Sequence, residues 1–439
     1  MEKKKVKIIT LGCKTNQYES NGMMQKFVNA GYEICDEKEI PDIYVVNTCT
    51  VTNISDRKSR QALRKVKQQN EDAVVVAVGC YAQVAKNELE KMKEIDIVLG
   101  NKEKKDIVEY VEKYICEKEK KIIDVADISK QNDFDEYNCV TYTEKSRTTI
   151  KIQDGCNNFC TYCLIPYARG RIRSRNKENI LDEARKIAQK GIQEIVLTGI
   201  HISSYGKDFE KEYRLIDLLE DLEKIDGISR IRLGSLEPTI ITDEFIKRLK
   251  KLSKICEHFH LSLQSGCDET LKRMNRKYTT KQFADVVKRI RDNIENVNLT
   301  TDIIVGFPGE TEEEFGKTYN FLKKMDFYKM HVFKYSKRDG TVAAKMQNQV
   351  DGNIKEERSK KLIELSNSNE LKFNQEYVGK EIEVLFEEKH EDFYVGHSRN
   401  YMVVKLKSNE TLENKVKKVL VEKAETEYVI GVLQKKCES

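Results

Sequence analysis

Short apolar, β-branched runs alternate with longer amphipathic stretches over the first hundred residues. The runs are Val6–Leu11, Ile43–Val46, Val74–Val78 and Ile95–Leu99, and the alternation predicts a parallel sheet covered by helices. From Lys102 to Glu144 the pattern becomes charged: a helical stretch (KEKKDIVEYVEKYICEKEKK), a short apolar run and the polar segment Ser129–Glu136. This reads as a boundary region. From Thr148 the alternation resumes, with TTIKIQD, EIVLTGI, RIRLGSL, FHLSLQS, LTTDIIVGF and KMHVFKYS as strands, and NKENILDEARKIAQKG and TKQFADVVKRIRDNIENV among the helices between them. Six strand-plus-helix units over roughly 200 residues predict a partial (β/α)6 barrel, closed by the helical stretch Lys355–Gln375. Beyond Gln375 the runs EIEVLF, FYVGHS, YMVVKLK, KVKKVLVEKAE and EYVIGVLQ predict a small all-β barrel. The expected fold class is α/β, with an open parallel-sheet domain over 1–140, a barrel over 141–375 and a small β-barrel over 376–439.

Composition narrows the class. The 439 residues are 34% charged and 39% hydrophobic, as in folded water-soluble proteins rather than disordered or membrane chains. No run approaches ~18 consecutive apolar residues, and MEKKKVKIITLGC has no signal-peptide core, so the expected location is cytoplasmic. In a reducing compartment, clustered thiols among the 12 cysteines point to metal or chemistry rather than disulfides. The net charge of +5 is uneven: Lys and Arg outnumber Asp and Glu by 42 to 34 over Ser146–Gln375, against 25 to 26 before and 11 to 13 after.

Two cysteine constellations stand out. Cys156, Cys160 and Cys163 lie within eight residues, directly after the strand TTIKIQD. Three thiolates on such a loop can wrap one cubane iron–sulfur cluster and leave its fourth iron without a protein ligand. A structural zinc site is the competing reading, although closed zinc sites take four ligands and no further Cys or His lies close by in sequence. The second constellation is dispersed: Cys13, Cys49 and Cys80 each end an early strand, 36 and 31 residues apart. All strand C-termini of a parallel sheet share one edge, so these three are expected to converge there as a second three-thiolate site. Cys35, Cys116, Cys139, Cys256, Cys267 and Cys437 keep the default reading of packing or surface thiols.

Taken together, TLGCKTNQYES, NTCTVTNISDRKSRQ, VGCYAQ, QDGCNNFCTYCLIPYARGRIRSR, LTGIHISSYG, HFHLSLQSGCDETLKRMNRKY and TTDIIVGFPGETEEEF resemble the radical S-adenosylmethionine methylthiotransferases over essentially the whole chain. GCKTNQYES is most similar to the branch that modifies N6-threonylcarbamoyladenosine in tRNA; members acting on isopentenyladenosine read closer to GCQMN, and those acting on a ribosomal-protein aspartate closer to GCPKN. The resemblance implies two 4Fe-4S clusters. One, on Cys156, Cys160 and Cys163, binds S-adenosylmethionine and generates a 5′-deoxyadenosyl radical that removes hydrogen from C2 of the adenine at position 37. The other, on Cys13, Cys49 and Cys80, delivers sulfur, and a second S-adenosylmethionine supplies the methyl group. Tyr162, Gly199, Glu237, Ser262, Gln264, Asp302 and Gly306, all in the cysteine loop or toward strand C-termini, are the positions the resemblance places around S-adenosylmethionine. Implied partners are the tRNA anticodon stem-loop, a flavodoxin- or ferredoxin-type reductant and a sulfur source, with no membrane. The C-terminal piece resembles the TRAM domain, a small barrel that helps hold tRNA.

Two further readings come from side-chain pattern. Arg169, Arg171, Arg173 and Arg175 alternate in YARGRIRSR; an extended segment would place them on one face as a row for RNA phosphates, with Lys272, Arg273, Arg276 and Lys277 widening the patch. Of the histidines near strand ends, alternation turns His260 and His331 into the barrel, and no catalytic role is assigned to any. One alternative keeps the same chemistry and changes the substrate to isopentenyladenosine in tRNA or a ribosomal-protein aspartate; a different-class alternative is a non-catalytic, zinc-bearing RNA-binding protein.

Overall fold

The computed structural model describes residues 3–36, 39–117, 120–137 and 146–434. Cys139, Cys437 and the predicted boundary at 140/141 lie outside the described residues.

Six strands form the first sheet: β1 (Lys5–Thr10), β2 (Glu33–Ile34), β3 (Ile43–Thr48), β4 (Val74–Gly79), β5 (Ile97–Leu99) and β6 (Ile122–Asp124). Their order is β2-β1-β3-β4-β5-β6 and every pairing is parallel. The central strand β3 is buried at all six positions, as a strand covered on both faces must be. On one face helix α1 (Lys14–Asn29) inserts Tyr18, Met23 and Phe27 against Val6, Val45 and Val78; on the other, α2 (Asn53–Gln69) packs Leu63 and Val66 on Tyr44, Val46 and Val75. The two strands absent from the sequence reading, β2 and β6, are two and three residues long at the sheet edges, too short for a period to show.

Six longer strands follow: β7 (Arg147–Asp154), β9 (Glu194–Gly199), β10 (Arg230–Leu233), β11 (His258–Gln264), β12 (Asn298–Val305) and β13 (Lys329–Lys334). The pairs β7/β9, β9/β10, β11/β12 and β12/β13 are parallel. Single bridges Ile231/Ile255 and Leu236/Leu261 carry the curl across from β10 to β11, so the six strands form the expected open barrel. The strand β8 (Arg173–Ser174) folds back antiparallel onto the end of β7.

Five strands, β14 (Glu381–His390), β15 (Phe393–Ser398), β16 (Val403–Lys407), β17 (Val416–Ala424) and β18 (Val429–Leu433), close a small barrel in the order β14-β15-β16-β18-β17. It docks under the N-terminal ends of the larger barrel's strands. Arg230 and Arg232 share Glu194, at 3.1 and 2.8 Å, and donate to the carbonyls of His397, Ser398 and Arg399. Arg399 pairs with Glu257 at 2.9 Å, which makes it a docking residue of the small barrel.

Candidate active site

The auxiliary cysteines meet at the C-terminal edge of the first sheet. Cys13 caps α1, Cys49 follows β3, and Cys80 opens the short helix Cys80–Val84 after β4. The loops approach closely: Gly12 has φ +101°, and a Cβ there would fall 2.8 Å from Cys49 Sγ, so only glycine fits. Asn16 ties the arrangement together by donating to the carbonyls of Leu11 (2.7 Å) and Thr48 (3.0 Å).

The second cysteine loop leaves β7 through Gly155, whose φ is +69° and whose Cβ would lie 1.8 Å from the Arg171 carbonyl oxygen. Cys160 receives a hydrogen bond from Arg276 Nη1 at 3.2 Å, and the backbone N–H of Cys163 donates to the Cys160 carbonyl at 3.0 Å. Within the loop Phe159 adopts φ 47°, a left-handed conformation a bulky side chain rarely takes. The turn directs Cys160 toward Arg276.

Both triplets have the donor chemistry of iron–sulfur clusters. Burial pushes the Cys156 thiol up to about 11 and the Cys163 thiol up to about 12, and raises Cys49 as well. Bare thiolates are disfavoured in such surroundings, so these sulfurs rest as neutral thiols unless a positive centre among them holds them ionised.

Around the second loop, Glu237 is the central anion. It accepts from Asn158 Nδ2 (3.0 Å), contacts His201 Nε2 (2.7 Å) and pairs with Arg276 (3.3 Å). Burial raises its pKa, but His201 and Arg276 outweigh that and hold it at about 2. The Ser262 carbonyl accepts from Arg276 at 3.1 Å; Gln264 ends β11 at φ 75°. Tyr162 stands edge-on to Phe307, ring centres 6.4 Å apart, next in sequence to Gly306 (φ 70°). A Cβ on Gly199 would lie 2.8 Å from the Gln153 carbonyl, and the Gln153 carboxamide donates to Gly155. Asp302 pairs with His260 Nε2 at 3.1 Å, and His260 packs against His331, ring centres 5.6 Å apart. Sequence reasoning assigned Arg276 to an RNA patch, yet it is buried against Cys160 and Glu237; nothing in its local pattern separates it from Lys272 or Lys277.

The phosphate row at Arg169, Arg171, Arg173 and Arg175 is corrected by the structure. Arg169 ends the helix Ile165–Arg169, and only Arg173 lies in a strand, so the four share no extended face. Arg169, Arg173 and Arg175 are 0%, 1% and 1% exposed; Arg175 pairs with Glu136 and Glu183. Arg171 alone is exposed, and it lies 4.5 Å from the Phe159 ring centre. Charges this deep require buried partners, and these come both from the chain before β7, Glu19 and Glu136, and from the barrel itself, Asp154 and Glu183. Arg169 donates to Glu19 (2.7 Å), Asp154 (3.1 Å), Asn16 (2.7 Å) and, through Nε, to Cys80 Sγ (3.2 Å). Lys104 and Lys151 also pair with Glu19, and Lys151 with Asp154. The residue that follows one cysteine loop by six positions therefore touches a thiol of the other triplet.

Sequence comparison bears on this arrangement. Residues 150–322 match the radical SAM superfamily, and residues 5–100 match a group described as uncharacterized protein family UPF0004. The chain is 44% identical over 428 residues to the threonylcarbamoyladenosine tRNA methylthiotransferase MtaB of Bacillus subtilis, covering 96% of this chain and 94% of that protein. The Aquifex aeolicus protein of the same name is 44% identical over 381 residues, 87% of this chain and 92% of its own length. A tRNA-2-methylthio-N(6)-dimethylallyladenosine synthase of Alkaliphilus oremlandii is 38% identical over 432 residues, 96% of this chain and 91% of that protein. Among solved structures, the radical S-adenosylmethionine methyltransferase TsrM of Kitasatospora setae aligns with TM-score 0.55 at 15% identity over 75% of this chain and 73% of its own, a likeness of fold.

Proposed function

The chain belongs to the radical S-adenosylmethionine methylthiotransferases, and from that premise we propose that it converts N6-threonylcarbamoyladenosine at position 37, beside the anticodon of tRNA, to its 2-methylthio derivative. The observation that carries the substrate is the 44% identity, over nearly the full length of both chains, to a protein named for this reaction. No helix among the described residues is long and apolar enough to cross a membrane.

In this reading Cys156, Cys160 and Cys163 hold one 4Fe-4S cluster and Cys13, Cys49 and Cys80 a second, which supply with S-adenosylmethionine the radical chemistry and the sulfur that an unactivated aromatic carbon requires. The chain's own residues fix the geometry. Arg276 orients the Cys160 sulfur and, through Glu237, couples it to the lumen wall. Glu237, ionised at neutral pH, presents an anion that suits the ammonium of S-adenosylmethionine; Asn158 and His201 hold it in place. Tyr162 covers one side of the loop. Arg169 braces Cys80 against the barrel, so the two cysteine sites keep a fixed separation. The small barrel closes the lumen floor, which limits water near a reactive intermediate. A flavodoxin- or ferredoxin-type reductant and a sulfur source complete the partners we propose.

The test is nucleoside mass spectrometry of tRNA from a strain lacking the gene. The 2-methylthio derivative is lost, returns with the wild-type gene and stays absent with Cys160→Ala. Unchanged nucleosides, or loss of a methylthiolated isopentenyladenosine instead, refute the substrate.

A further inference from the structure

Lys14 follows Cys13 directly and begins α1. Its side chain runs into the lumen of the larger barrel: Nζ lies 6.0 Å from the centre of the Tyr401 ring, which belongs to the small barrel and forms part of the lumen floor. The same ring lies 4.7 Å from the Arg232 guanidinium and 5.5 Å from that of Arg147, and it stacks on His258 and His397 at 4.7 Å each. Lys14 nonetheless remains accessible to water, so it borders an open space rather than a packed core.

The other cations of this floor have acids. Arg230 and Arg232 share Glu194, and Arg147 pairs with Glu387 at 3.0 Å. Among the described residues no carboxylate pairs with Lys14 and no hydrogen bond engages its ammonium. The floor thus carries Lys14, Arg147, Arg230 and Arg232 against Glu194 and Glu387, a positive surplus next to the residue that holds one auxiliary thiol.

We propose that Lys14 is the counter-ion for the carboxylate carried by the N6 substituent of the substrate adenosine, and so a specificity-determining residue; this rests on the function proposed above. A threonylcarbamoyl group ends in a carboxylate and a hydroxyl, whereas a dimethylallyl group is pure hydrocarbon. An ammonium with no acid partner favours the first by a charge-assisted hydrogen bond and penalises the second, which would strip water from it without replacement. The position also fits the reaction. The carbon to be modified must approach the auxiliary site at Cys13, and the flexible four-carbon stem of the next residue spans from there to a group several bonds away on the same base.

The test uses iron-loaded protein, without oxygen, and three anticodon stem-loops identical except at position 37: N6-threonylcarbamoyladenosine, its methyl ester, and plain adenosine. Wild type binds the acid more tightly than the ester by on the order of 10- to 100-fold. Lys14→Met abolishes that preference while keeping affinity for the plain stem-loop, and Lys14→Arg retains it. A Lys14→Met protein that still prefers the acid overturns the proposal, as does one that loses all three RNAs equally, the mark of a phosphate contact. Should Lys14→Met not load iron, equal binding of acid and ester by wild type overturns it. Wild type that methylthiolates an isopentenyladenosine stem-loop but not the acid overturns the substrate reading itself; wild type active on the acid, with a preference independent of Lys14, overturns only the role of Lys14.

Discussion

Replacing Glu19 by glutamine removes the central anion of the buried network that joins the first sheet domain to the larger barrel. Glu19 is 1% exposed and faces Lys104, Lys151 (2.7 Å) and Arg169 (2.7 and 3.0 Å). Burial favours its neutral form, but Arg169, Lys104 and Lys151 outweigh that and hold it well below the usual carboxylate range. Within the network Glu19 and Asp154 oppose Lys104, Lys151, Arg169 and Arg173, so Glu19→Gln leaves four cations to one anion. Removing one partner of a buried pair costs about 3–5 kcal/mol, a large part of the ~5–15 kcal/mol that holds a typical domain. The glutamine oxygen still accepts one or two hydrogen bonds, which places the expected loss near 4 kcal/mol rather than at the sum of the broken bonds, each worth ~1.5–3 kcal/mol. Denaturant unfolding followed by near-ultraviolet circular dichroism measures it. The double variant Glu19→Gln/Lys104→Met restores the charge balance and recovers at least half. A Glu19→Gln protein within ~1 kcal/mol of wild type, the range of exposed ion pairs, or a double variant no better than the single, refutes this account of the network.

Cys160→Ala and Cys49→Ala each lower bound iron from about eight to about four atoms per chain and abolish methylthiolation; a protein that binds zinc and remains colourless contradicts both clusters. Gly155→Ala places a methyl group against the Arg171 carbonyl at a left-handed φ and is expected to cost several kcal/mol or to prevent loading of the Cys156 loop, read by thermal unfolding and iron content; near-wild-type values for both count against the tight turn. Glu194, pushed up by burial but brought to about 2 by Arg232 and Arg230, has a folded value below its unfolded one. Its stabilisation is therefore complete above pH ~4.5 and is lost as pH falls toward about 2, a change of about 3 kcal/mol that Glu194→Gln should flatten; identical acid unfolding curves for the two proteins refute this.

Much of the fold was legible because its strands carry strong periods. The apolar β-branched runs Val6–Leu11, Ile43–Val46 and Val74–Val78 and the helix-alternating spacing from Thr148 to Ser336 led directly to a parallel sheet and a partial barrel, and the five alternating runs after Gln375 to a small barrel. The convergence of Cys13, Cys49 and Cys80 was legible for the same reason: strand ends of a parallel sheet share an edge. The arginines of YARGRIRSR were misread because alternation reports a face only where the backbone is extended, and here a helix end and a two-residue strand share the segment.

By itself, then, the sequence determined what depends on local order: which segments become strands, which edge receives the cysteines, and which donor atoms are offered to a metal. The tertiary structure decided where the charges go. Arg169 meets Glu19 across 150 residues and Cys80 across 89, Arg276 reaches Cys160 across 116, and Lys14 meets a ring 387 positions later in the small barrel. Long flexible cationic side chains look alike in a sequence, and whether each binds RNA, braces a thiol or waits for a carboxylate is set by which anion folding brings within a few ångströms, because the Coulomb energy in a desolvated interior depends steeply on that distance and that burial.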